Sequence, residues 1–216
     1  MRYNTRMSKK TIALTFDDGP SDTTTGHVLD MLSKHSVPGT FFLIGDNITE
    51  ERIPLVKRAL ALGCEIENHS KTHSDMTQLT REQIAAEIHY TTDRIASVTG
   101  RAPEFFRPPY ILYNDLMYET IDLVFICGLG CEDWEADAST GHRIERTLAQ
   151  AEDGAVVLLH DFEGNEKTVE ALETIIPELK DQGYEFVTVS ELFRRKNIDL
   201  KDQRGILFSN VSQAGG

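Results

Sequence analysis

A parallel α/β architecture is the fold class predicted for this chain of 216 residues, on three observations. Apolar runs of strand length alternate with amphipathic stretches of helical period along the chain. The connections between them are mostly short, which implies parallel strands with both sheet faces covered by crossover helices. Unusual polar groups collect just past the apolar runs, the edge where parallel α/β folds build their sites. A (β/α) barrel and a doubly wound sheet both satisfy this pattern. Asp17-Asp18-Gly19-Pro20, however, stands where a dinucleotide fingerprint or phosphate loop would follow the first strand.

The first strand is expected at residues 11–16, where Ile12-Ala13-Leu14 leads into the Gly19-Pro20 turn. A helix at 24–35, a strand at 40–44, a helix at 51–62 and a strand at 64–67 follow, with Gly63 where a helix C-terminal cap is expected. The helix at 81–98 carries the clearest punctuation. Thr80 and Gln83 have capping-box spacing, Ile84, Ile88, Thr91 and Ile95 form one buried stripe, and Gly100 ends it. A strand at 104–106, a helix at 114–121, strands at 123–127 and 155–159 around a helix at 143–151, and a helix at 167–182 before Gly183 come next. A strand at 185–187 and a last helix at 190–195 complete the order. The chain thus divides into an N-terminal extension (1–10), one domain (11–196) and a C-terminal tail (197–216), a length that supports one sizeable core.

Lys and Arg total 22 against 35 Asp and Glu, a net charge of −13, which argues against nucleic-acid binding and favours neutral or cationic partners. No segment approaches the length of a membrane span, and the N-terminus lacks the apolar core of a signal peptide. A soluble chain is expected, with the compartment left open because a domain excised from a secreted parent would read the same. Cys64, Cys127 and Cys131 are too few for a disulfide framework and read as free buried thiols.

Five segments place polar groups on the strand edge. Asp17 and Asp18 follow the first strand, His69 and His73 the third, and Arg107 and Tyr110 the fourth. Asp133 and Trp134 come after the fifth, and His160-Asp161 ends the run Val156-Val157-Leu158-Leu159. Adjacent carboxylates of an extended segment point apart, so one can bind a metal while its neighbour stays free as a base. Alone, the pair fits a polar turn or a helix cap as well. His69 and His73, at i and i+4, come onto one side of a helical turn and with one carboxylate make a three-ligand site of catalytic type. Alone, they fit ordinary surface histidines equally well. Arg107, stiffened by Pro108 and Pro109, supplies a fixed cation that would keep Asp17 ionised, or else a structural ion pair. Trp134 is either a core residue or a stacking face for a sugar ring, and His160 is either a buried structural imidazole or an acid tuned by Asp133.

Thr15-Phe16-Asp17-Asp18-Gly19, His69-Ser70-Lys71-Thr72-His73, Arg107-Pro108-Pro109-Tyr110, Asp133-Trp134 and Leu158-Leu159-His160-Asp161 resemble, in order, the five motifs of the polysaccharide deacetylases, the NodB-type carbohydrate esterases of family 4. The resemblance runs from about residue 11 to 195, and locally it is most similar to the acetylxylan esterase branch. It implies a distorted (β/α) barrel of seven to eight parallel strands, with the active site at the strand C-terminal edge and acetylated polysaccharide as substrate. By the same resemblance Asp18, His69 and His73 would hold one divalent ion, zinc first, with cobalt, nickel or manganese as alternatives. Asp17 would be the base, oriented by Arg107, and His160 the acid, tuned by Asp133. Tyr110 would offer a backbone N–H to the oxyanion, and Trp134 and Leu158 would line the acetyl pocket. The implied activity is hydrolysis of O-acetyl esters of xylan, with N-deacetylation of chitooligosaccharide or peptidoglycan, or a non-catalytic carbohydrate-binding homologue, as alternatives. A metal phosphoesterase would want a second metal cluster or a phosphate clamp, and the sequence offers neither.

Overall fold

The alternation of side chains along each strand decides what the sheet buries on either face. The computed structural model describes residues 9–215, so the first eight residues of the expected extension lie outside the described residues. In β1 (Lys10–Asp17), Ile12, Leu14 and Phe16 join one apolar cluster with Val28, Leu29 and Leu32 of α1 (Thr24–His35) and Leu172, Ile175 and Leu179 of α6 (Glu166–Asp181). Val56 and Ala59 of α2 (Ile53–Ala61) belong to the same cluster. Ala13 points the other way, into a second cluster with Phe42 of β2 (Thr40–Leu43), Phe105 of β4 (Phe105–Phe106), Ile126 of β5 (Val124–Ile126) and Val156 of β7 (Ala155–His160). The first cluster is the sheet's helix-covered outside. The second is the barrel interior, plugged from below by Leu192 and Phe193 of α7 (Val189–Arg195).

Among the described residues nine strands form the sheet, in the order β6-β7-β1-β2-β3-β4-β5-β9, with β8 (Tyr184–Phe186) pairing the beginning of β1. Here β3 is Glu65–Asn68, β6 is Leu129–Gly130 and β9 is Leu207–Phe208, and every strand pairing is parallel. The curl is completed by the segment after β9. Ala155 and Asn210 form an antiparallel bridge, and the Val156 N–H donates to the Ser209 carbonyl at 3.0 Å. The architecture is therefore the expected distorted parallel barrel. Residues 197–216, expected as a tail, supply one of its strands, because Phe208 is fully buried in the interior cluster against Phe193. Two apolar residues are too short a run to signal a strand by themselves.

The helices keep their expected punctuation. In α3 (Arg81–Thr99) both capping-box bonds form, the buried residues are Ile84, Ile88, Thr91 and Ile95, and Gly100 adopts φ 76°. In α4 (Asp115–Thr120) Asn114 is the N-cap and accepts the Met117 N–H. Relative to expectation α6 and α7 begin one residue earlier and α5 (Thr140–Gln150) three. Ser139 caps it through the His142 N–H, and its first turn is too polar to reveal a helix by period.

Register carries the site. Asp17 pairs with His160 across β1 and β7 and with Phe42 of β2; Leu43 pairs with Asn68, and Asn68 with Phe106. Asp17 and His160 consequently stand level at the carboxyl ends of β1 and β7, while His69 and Arg107 directly follow β3 and β4, His69 two positions beyond Glu67, the β3 residue in register with Phe42.

Candidate active site

Asp17 continues the inward-facing positions of β1 beyond Ala13 and Thr15, and is 2% exposed. Its Oδ1 accepts from Arg107 Nη1 at 2.5 Å, and the Arg107 guanidinium, fully buried, lies 4.2 Å from the Phe42 ring centroid. A buried carboxylate is tolerable only with such a partner.

Alternation alone would send Asp18 outward, toward the helices. Its backbone instead takes φ 73°, in the left-handed region that Asp enters more readily than most residues, and its carboxylate turns to the barrel mouth. Asp18 Oδ1 lies 3.3 Å from His69 Nε2 and 3.3 Å from His73 Nε2. Burial raises the Asp18 carboxyl, but the hydrogen bond and charge of His69, with the charges of His160 and His73, outweigh it and bring the carboxyl down to about 2.

The His69–His73 segment is not the expected helical turn. Ser70 and His73 both have positive φ, at 65° and 59°, and side chains carry the loop: Asn68 Oδ1 accepts the Ser70 N–H, Ser70 Oγ accepts the His73 N–H, and Glu87 accepts the N–H groups of Lys71 and Thr72. The imidazoles nevertheless meet, with ring centroids 4.9 Å apart. His69 Nδ1 donates to the Arg107 carbonyl at 2.7 Å, which fixes the ring with Nε2 toward Asp18. His73 titrates below its ordinary value because burial and the neighbouring His69 charge outweigh the pull of Asp18 and Asp17.

On the other wall, Asp133 Oδ1 binds His160 Nδ1 at 2.7 Å, and Oδ2 accepts the His160 N–H and the Thr168 hydroxyl at 2.8 Å each. Buried Arg143 stands behind, donating to Asn165 Oδ1 and Thr168 Oγ1. Burial depresses His160, but the Asp133 hydrogen bond and charge, with the charges of Asp17 and Asp18, push it up to about 9. A His raised this way contributes stability that is fully present below its unfolded value near 6.5 and is lost as pH rises through about 9. Urea unfolding of the metal-free protein is therefore expected to lose up to about 3 kcal/mol between pH 6 and pH 10 from this group. A stability flat across that window would contradict it.

These groups open onto a cavity of about 480 Å³ lined also by Tyr110, Trp134, Leu158, Gly128 and Cys127. Gly128 has φ 131°, and a Cβ there would sit 2.8 Å from Leu158 Cβ, so only glycine lets this wall approach β7. Trp134 is 48% exposed and Tyr110 64%, which makes both rim residues rather than core. Cys64 and Cys131 are free and buried as expected; Cys127 is free but only half-buried, because it sits on the cavity wall. Every expected site residue is thus at one cavity or bonded to a group there. Arg143, Asn165 and Thr168 were not expected: nothing in their local pattern distinguishes them from helix surface residues. Asn68 carried a signal in principle, as a polar residue at the end of a buried strand.

The residues present suit a divalent cation. The Asp18, His69 and His73 ligand atoms lie within 4.8 Å of one another, and the buried Asp18 Oδ1 faces only the two imidazole Nε2 atoms, each at 3.3 Å.

Residues 4–123 match the family model of the polysaccharide deacetylases. A bifunctional xylanase/deacetylase of Pseudobutyrivibrio xylanivorans is 50% identical over 192 residues, which is 89% of this chain and 32% of that protein. A peptidoglycan N-acetylglucosamine deacetylase of Listeria monocytogenes is 40% identical over 88% of this chain and 40% of its own length. The chain therefore spans well under half of each of these two relatives. A family 4 acetyl xylan esterase from Clostridium thermocellum, solved with a cobalt ion, superposes with a TM-score of 0.90 at 37% identity, covering 94% of this chain and 99% of that one.

Proposed function

The chain belongs to the polysaccharide deacetylases of carbohydrate esterase family 4, and within that family we propose that it is a metal-dependent hydrolase removing O-acetyl groups from xylan. One observation carries the mechanism: the Asp18, His69 and His73 cluster shares a cavity with a buried Asp17–Arg107 pair on one side and an Asp133–His160 pair on the other. Asp18, His69 and His73 would hold the ion, with zinc favoured by two imidazoles and a carboxylate, and cobalt, nickel or manganese also suited. When bound, the ion supplies Lewis acidity toward the acetyl carbonyl and acidifies water in the site.

The chain's own groups do the rest. Asp17 takes the proton from the attacking water, and Arg107 compensates its charge and fixes its direction. The Tyr110 backbone N–H faces the developing oxyanion, in a turn where Tyr110 and Ile111 both take positive φ, 57° and 56°. His160, held through Nδ1 by Asp133, presents Nε2 to the leaving oxygen and carries the proton there. Trp134 and Leu158 shape the apolar slot for the acetyl methyl. No acyl-enzyme forms on this route, which agrees with a cavity that carries no serine nucleophile.

The xylan assignment is supported by the names of two relatives, and the Listeria relative favours N-acetyl glycans as the second reading. Acetate release from acetylxylan and from N-acetyl chitooligosaccharides, measured side by side with chelator and metal add-back, separates them. Faster release from acetylxylan, abolished by chelator and restored by zinc or cobalt, is expected. No release from either in the presence of metal would sink the deacetylase assignment. An alkoxide leaves with less proton help than an amine, so His160→Ala is expected to keep measurable activity on acetylxylan. Loss as complete as in Asp17→Asn would move the assignment to amides.

A further inference from the structure

The carboxylate and the two imidazoles of the cluster come from loops more than 50 residues apart in sequence, and Asp18 holds a left-handed backbone that a residue with a Cβ disfavours. Something must set the distance between those loops. The short turn after β2 bonds to both. On one side the Ile44 N–H donates to the Gly19 carbonyl at 3.1 Å, and Asn47 Nδ2 donates to the Asp18 carbonyl at 2.7 Å. On the other, the N–H groups of Gly45 and Asp46 donate to the Ser70 and Lys71 carbonyls at 2.9 and 3.0 Å. The turn is seated in turn on α3, where a Cβ on Gly45 would come 2.2 Å from Thr91 Oγ1.

The neighbouring carbonyls have other holders. Asp17 O accepts the Asp161 N–H, and Pro20 O accepts from Arg52, itself paired with Asp22. The bond to the Asp18 carbonyl is the one in this set made by a neutral side chain, and Asn47 is half-buried at the surface of the fold. Its amide must present the nitrogen to Asp18, since a carbonyl accepts only from a donor.

We propose that residues 44–47 act as a clamp that sets the spacing of Asp18 from His69 and His73, and that Asn47 is the positioning residue of this clamp. The proposal rests on the metal-site reading above. Asn47 touches neither ion nor substrate. It holds the Asp18 backbone in the conformation that delivers Oδ1 to the imidazoles, and outer groups that orient a metal ligand typically influence affinity by about 10- to 100-fold.

The test is calorimetric titration of the full metal-stripped chain with zinc or cobalt chloride, with thermal melts of each variant. Asn47→Ala and the near-isosteric Asn47→Asp, which lacks the donor, are both expected to bind the ion about tenfold more weakly or worse while melting close to the parent. Glu50→Ala breaks only the exposed bond to Arg94, beside the turn but outside the clamp, and is expected to bind as the parent does. Parent-like affinity in either Asn47 variant would overturn the clamp, as would an equal loss in Glu50→Ala. A parent chain that takes up no ion would overturn the metal site itself, a result distinct from both.

Discussion

Asp17→Asn is expected to retain one divalent ion per chain and to lose acetate release by about a thousandfold, within the range a general base contributes. The substitution leaves an oxygen to accept from Arg107, so the 2.5 Å contact and the buried guanidinium keep a partner. What disappears is the ability to take a proton. Asp18→Ala is expected to give the opposite result: the ion is lost, and turnover falls with it, because His69 and His73 are left as a two-ligand remnant. Metal content by elemental analysis, read beside acetate release, distinguishes the two. An Asp17→Asn protein that comes out metal-free, or an Asp18→Ala protein that keeps its ion, would collapse the division of roles between the adjacent carboxylates.

The second large effect is on stability. Arg107→Met removes the cation beside Asp17 and leaves a carboxylate that is 2% exposed without its partner. Breaking a buried pair from one side costs about 3–5 kcal/mol. The methionine can still cover the Phe42 ring, so packing is not the main loss. Adding Asp17→Asn to Arg107→Met is expected to recover part of the stability, since neither buried position is then charged. Urea unfolding of the four proteins of this cycle measures the coupling. Additive losses would mean that the pair is not what stabilises this end of the barrel.

Much of the site was legible because strand ends and helix caps are written locally. Asp17, Arg107 and His160 end or follow apolar runs, His69 follows the short strand Glu65–Asn68, and register sets Asp17 level with His160. The capping box at Thr80 and Gln83, and the stripe Ile84, Ile88, Thr91 and Ile95, depend on spacing within one turn or one face, and both form as expected. The expected helical turn at 69–73 failed for the complementary reason. An i, i+4 spacing implies proximity only if the backbone is helical, and Ser70 and His73 adopt positive φ under the direction of Asn68 and Glu87. The imidazoles meet by a different route than the spacing suggested.

The short strands β6 and β9 were missed because two residues carry no period, and the Arg143–Asn165–Thr168 support behind Asp133 was missed because it joins α5 to the start of α6 across some 25 residues of chain.

By itself the sequence determined the parallel α/β class, the order of its elements and the chemical types that stand at the strand edge, because hydrophobic period, caps and turns act between residues a few positions apart. Tertiary structure alone decided that Asp18 turns back toward the imidazoles, that Arg107 reaches Asp17 across 90 positions, and that the residues after β9 complete the barrel. Those outcomes depend on strand register and on hydrogen bonds between distant segments. No local pattern encodes a distance between two loops until the sheet that carries both has formed.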